Sequence, residues 1–148
     1  MPKQAQLIFN VNDYQHSDTA IAKGVDNSVP DELVDNLLLL HHEIIVPVKK
    51  HFEDVTITSG YRSPLLNTAT GSQNKNSQHT KGQAVDLVTS DLKSLFNFIL
   101  ADLPFDQLIY ESYGGKRWVH VSFNKDNRRA MAMKTDDGKK FSIQPAFA

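Results

Sequence analysis

Apolar and polar positions along this chain repeat with two different periods, and the period changes at recognisable stop signals. Leu33, Leu37, Leu40, Ile44 and Val48 recur at three- and four-residue steps, the spacing that gathers them on one helix face. Ser28 is placed to cap this helix, with Pro30 in its first turn and Asp31 near the positive end of its dipole. Pro47 has no N–H to donate and is expected to end or kink the helix near Val46. A second stripe, Leu92, Leu95, Phe96, Ile99 and Leu103, follows the capping run Thr89, Ser90 and Asp91 and closes at Pro104. A shorter helix opens at Ser63 and Pro64, with Gly71 as its C-terminal stop.

Elsewhere the period is two. Residues 54–59, DVTITS, alternate with β-branched side chains and read as a strand, and the apolar run 84–88 reads as another. Runs 105–113 and 116–123 flank Gly114 and Gly115, both tolerant of positive φ, which predicts a hairpin. A last hairpin is expected over residues 130–143, turning at 136–138. Residues 1–27 lack clear periodicity and read as an irregular N-terminal wrap anchored by Leu7, Ile8, Phe9, Val11 and Tyr14. The sum is an α+β domain, a small and mainly antiparallel sheet carrying about three helices.

Composition narrows the function classes. A chain of 148 residues buries roughly two-thirds of its unfolded surface, so residues 1–148 are read as one domain, expected to be a monomer. The net charge is −1, from 16 basic and 17 acidic residues. That leaves no basic field for nucleic acid, and no nucleic-acid partner is expected. The most apolar stretch, residues 37–48, is interrupted by His41, His42 and Glu43. It is too short and too polar to span a bilayer, so no membrane insertion is expected. His41 and His42 read as ordinary helix histidines. The N-terminal residues lack the apolar core of a signal peptide, so the chain is expected to be cytoplasmic as synthesised. Cysteine is absent, which excludes disulfides and thiolate chemistry and leaves His, Asp and Glu as the strong metal ligands.

Two segments carry candidate chemistry: SQHTKGQAVD at 77–86 and WVHVS at 118–122. Zinc catalysis needs about three protein donors and an open position for water. His79, Asp86 and His120 can supply them if Gly82 turns a loop onto one strand and His120 lies on the next. Each also has an ordinary reading, His79 as a loop residue, Asp86 as an edge or cap residue, and His120 as a satisfied core histidine. The spacing is far less specific than an HExxH helix, and the residues alone leave both readings open.

Those segments, with SGYRSP at 59–64, resemble the zinc D-Ala-D-Ala peptidase family, which includes vancomycin-resistance dipeptidases and phage L-alanyl-D-glutamate endolysins. DTAIAKGVDN at 18–27 and FDQLIYE at 105–111 are similar to its short phage and bacterial branch, so the likeness spans about residues 17–123. The resemblance implies a fold shared with the hedgehog signalling domain and zinc bound by His79, Asp86 and His120. It also implies that Arg62 holds a substrate carbonyl or carboxylate, a role suited to its planar fork of donors. A surface salt bridge is the alternative for Arg62. Ser77 resembles a substrate-contacting serine of relatives, or else is a loop-stabilising hydroxyl.

The pattern departs at one position. Many relatives carry the catalytic carboxylate three residues before the last histidine, where this chain has Arg117. A general base is still required, and Glu111 is the candidate. A two-residue turn at Gly114 and Gly115 sets Glu111 opposite Trp118 and Ile109 opposite His120, so Glu111 and His120 share a face about 7 Å apart at Cβ. A surface pair with Lys116 or Arg117 is the alternative. Trp118 is placed to wall the site and Tyr61 to line it, although core packing explains both as well.

The expectation is therefore a zinc metallopeptidase hydrolysing an amide bond of the peptidoglycan stem peptide. It would be an endolysin-type endopeptidase or a D,D-carboxypeptidase, acting on the cell wall after release. A dipeptidase is a further option. The contrasting expectation, kept open by Arg117, is a non-catalytic zinc-containing wall-binding or phage structural module of the same fold.

Overall fold

The computed structural model describes residues 7–72 and 74–148. Residues 1–6 of the expected irregular wrap lie outside the described residues; within the rest of it the chain forms two short helices, α1 (Asn12–Gln15) and α2 (Asp18–Lys23). The Ser17 hydroxyl accepts from the Ala20 N–H at 3.1 Å, and Gly24, at φ 66°, closes the second helix. Neither reaches two full turns, so no hydrophobic stripe announces them. Tyr14 anchors the segment, 1 % exposed, with Phe9 and Val11 packed alongside, whereas Ile8 is 62 % exposed. Its hydroxyl lies 2.6 Å from His41 Nδ1, and His41 Nε2 is 2.8 Å from the Leu7 carbonyl. A carbonyl only accepts, so His41 donates from Nε2 and accepts a hydrogen bond from the Tyr14 O–H at Nδ1. Both ring nitrogens of this buried histidine are thereby satisfied.

The long helical rod differs from expectation at both ends. It opens with a 3-10 turn, Asp31–Leu33, at Pro30. Ser28 is no cap: its hydroxyl donates to Asp26 at 2.6 Å. Pro47 does not end the rod, which continues as α3 (Val34–Leu40), a π-helical turn (His41–Ile45) and α4 (Val46–His51). Val46 N–H reaches back five residues to the His41 carbonyl. One extra residue in the turn lets the rod accommodate a proline that would clash in a regular α-helix. Leu37, Leu40, Ile44, Ile45 and Val48 are all fully buried along the rod.

Strand β1 (Thr56–Ser59) follows, then α5 (Pro64–Ala69), capped by the Ser63 hydroxyl on Leu66 N–H at 3.1 Å. A 3-10 turn, Gln78–Lys81, leads to β2 (Ala84–Val88), and α6 (Leu92–Asp102) is capped by Asp91 on Ser94 N–H. The hairpin β3 (Gln107–Tyr113) and β4 (Lys116–Ser122) precedes β5 (Met131–Thr135) and β6 (Ser142–Ile143). With the rod counted once there are five helices among the described residues, two more than the periodicity reveals.

The six strands form one sheet in the order β1-β2-β4-β3-β5-β6, antiparallel except where β5 runs parallel to β3. Alternation divides its faces. Val85, Leu87, Leu108, Val119 and Val121 turn into a common core with α6 and the rod. The opposite face carries a row of register partners, Asp86, His120, Ile109 and Met133, running straight across β2, β4, β3 and β5. The C-terminus is held by reciprocal bonds between the Asn97 side chain and the Phe147 backbone, with the Phe147 ring against Phe96 and Tyr110. No helix among the described residues is long and apolar enough to cross a membrane.

Candidate metal centre

Gly82 allows the first donor to approach the sheet. At φ 68° it ends the 3-10 turn bearing His79, and a Cβ there would lie 3.2 Å from the Leu33 carbonyl. The chain turns tightly over the rod, and His79 points back at Asp86 on β2. Asp86 pairs with His120 on β4, and side chains directly opposite across a sheet share a face. His79 Nε2 lies 3.3 Å from Asp86 Oδ1, and His120 Nδ1 lies 3.1 Å from the same oxygen. One donor atom from each residue falls within 4.8 Å of the others.

This cluster fits a zinc ion. Bonds of 2.0–2.2 Å in tetrahedral array put donor atoms about 3.3 Å apart, close to the two contacts observed. His79 Nδ1 is 2.7 Å from the Gly60 carbonyl and must donate to it, which leaves Nε2 unprotonated and aimed at the cluster. Gly60 itself is required by crowding, since a Cβ would sit 2.5 Å from the Tyr14 carbonyl. Tyr61 N–H donates to that carbonyl and Arg62 N–H donates to the His79 carbonyl. Burial pushes the His79 imidazole towards neutrality against the pull of Asp86. For Asp86, burial alone would raise the carboxyl, but the two histidines outweigh it and hold the group well below the usual carboxylate range.

Around the cluster lies a cleft of about 430 Å³ lined by Arg62, Ser77, Glu111 and Trp118 as well as the three donors. The hairpin register is the one expected from its turn: Tyr113 faces Lys116, Glu111 faces Trp118 and Ile109 faces His120. Glu111 is therefore on the cleft face, where it accepts a 2.9 Å hydrogen bond from Trp118 Nε1. Arg117 is exposed, one residue out of phase on the other face. Burial pushes the Glu111 carboxyl up, with Asp86 reinforcing the shift and His120, Trp118 and Arg62 opposing it. Arg62 Nε is buried and has no hydrogen-bond partner among the described residues. Ser77 lines the cleft and also caps the donor-bearing turn, its hydroxyl accepting from His79 N–H at 3.3 Å. Tyr61 is 3 % exposed and packs in the interior away from the cleft lining.

Four residues that support or line the site were not singled out from the sequence. Asn27, 8 % exposed, donates to the Gln15 and Tyr61 carbonyls and accepts from Ser63 N–H, fixing the segment that presents Arg62. Asp106 is fully buried and accepts from Gln78 Nε2 at 2.8 Å and from Arg129 N, Nε and Nη2 at 2.8–2.9 Å. It ties the turn bearing His79 to the chain beyond β4. Met133 on β5 and Phe141, just ahead of β6, also line the cleft.

A mixed sheet that presents two imidazoles and a carboxylate around one point in an open cleft, with a glutamate and an arginine alongside, has the arrangement of a metal-dependent hydrolase. A family model described as Peptidase M15 matches residues 8–122. The chain belongs to that peptidase family, as the resemblance of its motifs implies. Among curated proteins, none matches the chain.

Proposed function

We propose that the chain is a zinc peptidase that cleaves an amide bond within the peptidoglycan stem peptide, with His79, Asp86 and His120 as the metal ligands. The observation that carries this reading is the convergence of those three donors in the same cleft as Glu111 and Arg62. Zinc bound there supplies a Lewis acid and an acidified water. Glu111, on the same face two residues along β3 from the partner of His120, accepts the proton of the attacking water and returns it to the leaving amine. Its raised affinity for protons suits that exchange. Trp118 N–H holds the carboxylate in place from one side. Arg62, which lines the cleft, offers the accessible end of its guanidinium fork to the oxyanion that develops on the scissile carbonyl.

An endopeptidase is favoured over a carboxypeptidase because the cleft is not a blind pocket. Beyond Glu111 and Trp118 it opens into a second depression of about 890 Å³ reaching Gly71, Tyr113 and Lys139. On the other flank it extends to Gln107 and Phe141. Chain on both sides of the cut bond can be accommodated.

The test is metal analysis of the purified protein together with mass spectrometry of muropeptides incubated with it. The expected result is one zinc per chain and a product pair whose masses locate the cut within the stem peptide. A zinc-loaded protein that leaves every muropeptide whole would overturn the peptidase and favour a wall-binding module.

A further inference from the structure

We propose that Ile109, Met133 and Phe141 form an apolar subsite beside the donors that selects the aliphatic chain of the diamino acid in the stem peptide; the proposal rests on the peptidase reading and deepens it. The row Asp86, His120, Ile109, Met133 changes character midway, from metal donors to large apolar side chains, along one face of the sheet. Adjacent strands are about 4.8 Å apart, so Met133 lies two strands, about 10 Å, from His120. That is within the span of a substrate residue whose neighbour sits at the donors. Phe141 completes the patch from the approach to β6 and is 47 % exposed, Met133 is half-buried and Ile109 is the buried floor beneath them; all three line the cleft. Apolar surface kept open beside a polar centre marks a place where something apolar is received, and a methionine adapts to the shape of what it meets.

Stem-peptide chemistry leaves one suitable occupant. Its alanines offer only methyl groups and its glutamate a short chain ending in a carbonyl or carboxylate. Only the diamino acid, lysine or diaminopimelate, has a run of methylenes that can lie along three apolar side chains while its polar end reaches water. The subsite also falls partly outside the family match, which stops at residue 122, whereas Met133 and Phe141 follow it. The preference is thus built by the chain's own C-terminal hairpin.

Two pentapeptides test this, L-Ala-γ-D-Glu-L-Lys-D-Ala-D-Ala and its analogue with L-Ala in place of lysine. Each is titrated into the zinc-loaded wild type, Phe141→Ser and Met133→Ser. Binding is read from the fluorescence of Trp118, the only tryptophan in the chain and a lining residue of the cleft. Cleavage is followed in the same samples by mass spectrometry. The lysine peptide is expected to bind wild type on the order of tenfold more tightly, the scale of a methylene-sized difference in an apolar pocket. That ratio is expected to fall towards one in both variants, with zinc content unchanged. Equal binding of the two peptides by wild type, or a ratio kept in both variants, overturns the subsite. Cleavage without preference overturns the subsite alone. Preference without cleavage sustains the subsite and overturns the peptidase reading, and binding of neither peptide overturns both.

Discussion

Replacing Asp106 by Asn tests whether a single buried carboxylate fixes the turn that carries His79. The carboxylate is fully buried and receives four hydrogen bonds, three from Arg129 and one from Gln78. An asparagine of the same shape keeps one acceptor oxygen for Arg129 N and Nε. It then turns an NH₂ group towards Gln78 Nε2 and Arg129 Nη2, so donors face donors. Hydrogen bonds to charged groups contribute roughly 1.5–3 kcal/mol each. Arg129 is 40 % exposed and can regain water, which discounts its share. The net loss comes to about 3 kcal/mol, or about 10 °C in melting temperature for a domain of this size. Thermal and urea unfolding of the two proteins at neutral pH measure it.

The sign of the pH dependence follows from the same contacts. Burial alone would raise the Asp106 carboxyl, but its hydrogen bonds from Arg129 and Gln78 lower it below the ordinary value of 3.8. A depressed folded-state pKa contributes stability that is complete above the unfolded value and is lost as pH falls through the folded one. The gap between wild type and Asp106→Asn is therefore expected to hold from neutral pH down to about 4 and to narrow in stronger acid. A gap under about 1 kcal/mol at neutral pH, or one that widens in acid, would refute the reasoning.

Glu111→Gln keeps the shape of the side chain and removes the base, so kcat on a stem-peptide substrate is expected to fall about 10²–10⁴-fold with zinc content and KM little changed, as steady-state kinetics and metal analysis would record. Asp86→Ala deletes the donor shared by both histidine contacts; zinc in the purified protein is expected to drop from one per chain to nearly none, and retention of a full equivalent would remove Asp86 from the ligand set. Gly60→Ala forces a methyl against the Tyr14 carbonyl. It is expected to cost about 1–3 kcal/mol in urea unfolding and to weaken zinc affinity, because the displaced Gly60 carbonyl orients His79. Stripping the metal with a chelator is expected to lower the melting temperature, and re-adding zinc at a hundredfold excess over its dissociation constant to restore about 2.7 kcal/mol; a melt indifferent to zinc would contradict a site formed only in the folded chain.

The legible parts of this protein are those whose signals are local. Ser63 with Pro64, the capping run Thr89, Ser90 and Asp91, and Gly114 with Gly115 each specify a boundary within a few residues, and the structure places α5, α6 and the hairpin there. Hairpin register follows from the turn alone, so the face carrying Glu111 could be read before any coordinates. What eluded the sequence depends on partners far along the chain. Asp106 meets Arg129 23 residues later and Gln78 28 residues earlier, and nothing near any of them announces the meeting. The π turn just ahead of Pro47 is likewise invisible, since a proline reads as a stop unless the preceding turn has already moved its carbonyl aside. Tyr61 sits in a motif beside Arg62, yet the bond from its N–H to Tyr14 draws it inward, and proximity in sequence says nothing about which side faces the cleft.

The parallel pairing of β5 with β3 divides the cleft between two stretches of polypeptide. All three donors come before residue 121, whereas Met133 and Phe141 come after residue 130. On the proposed reading, changes to the later stretch are expected to reshape what binds beside the three donors, while the donors stay fixed by strands that belong to the earlier one. On that reading the donors and the neighbouring apolar surface are expected to be separable by mutation, with Asp106 and Arg129 as the seam where the two stretches are stitched together.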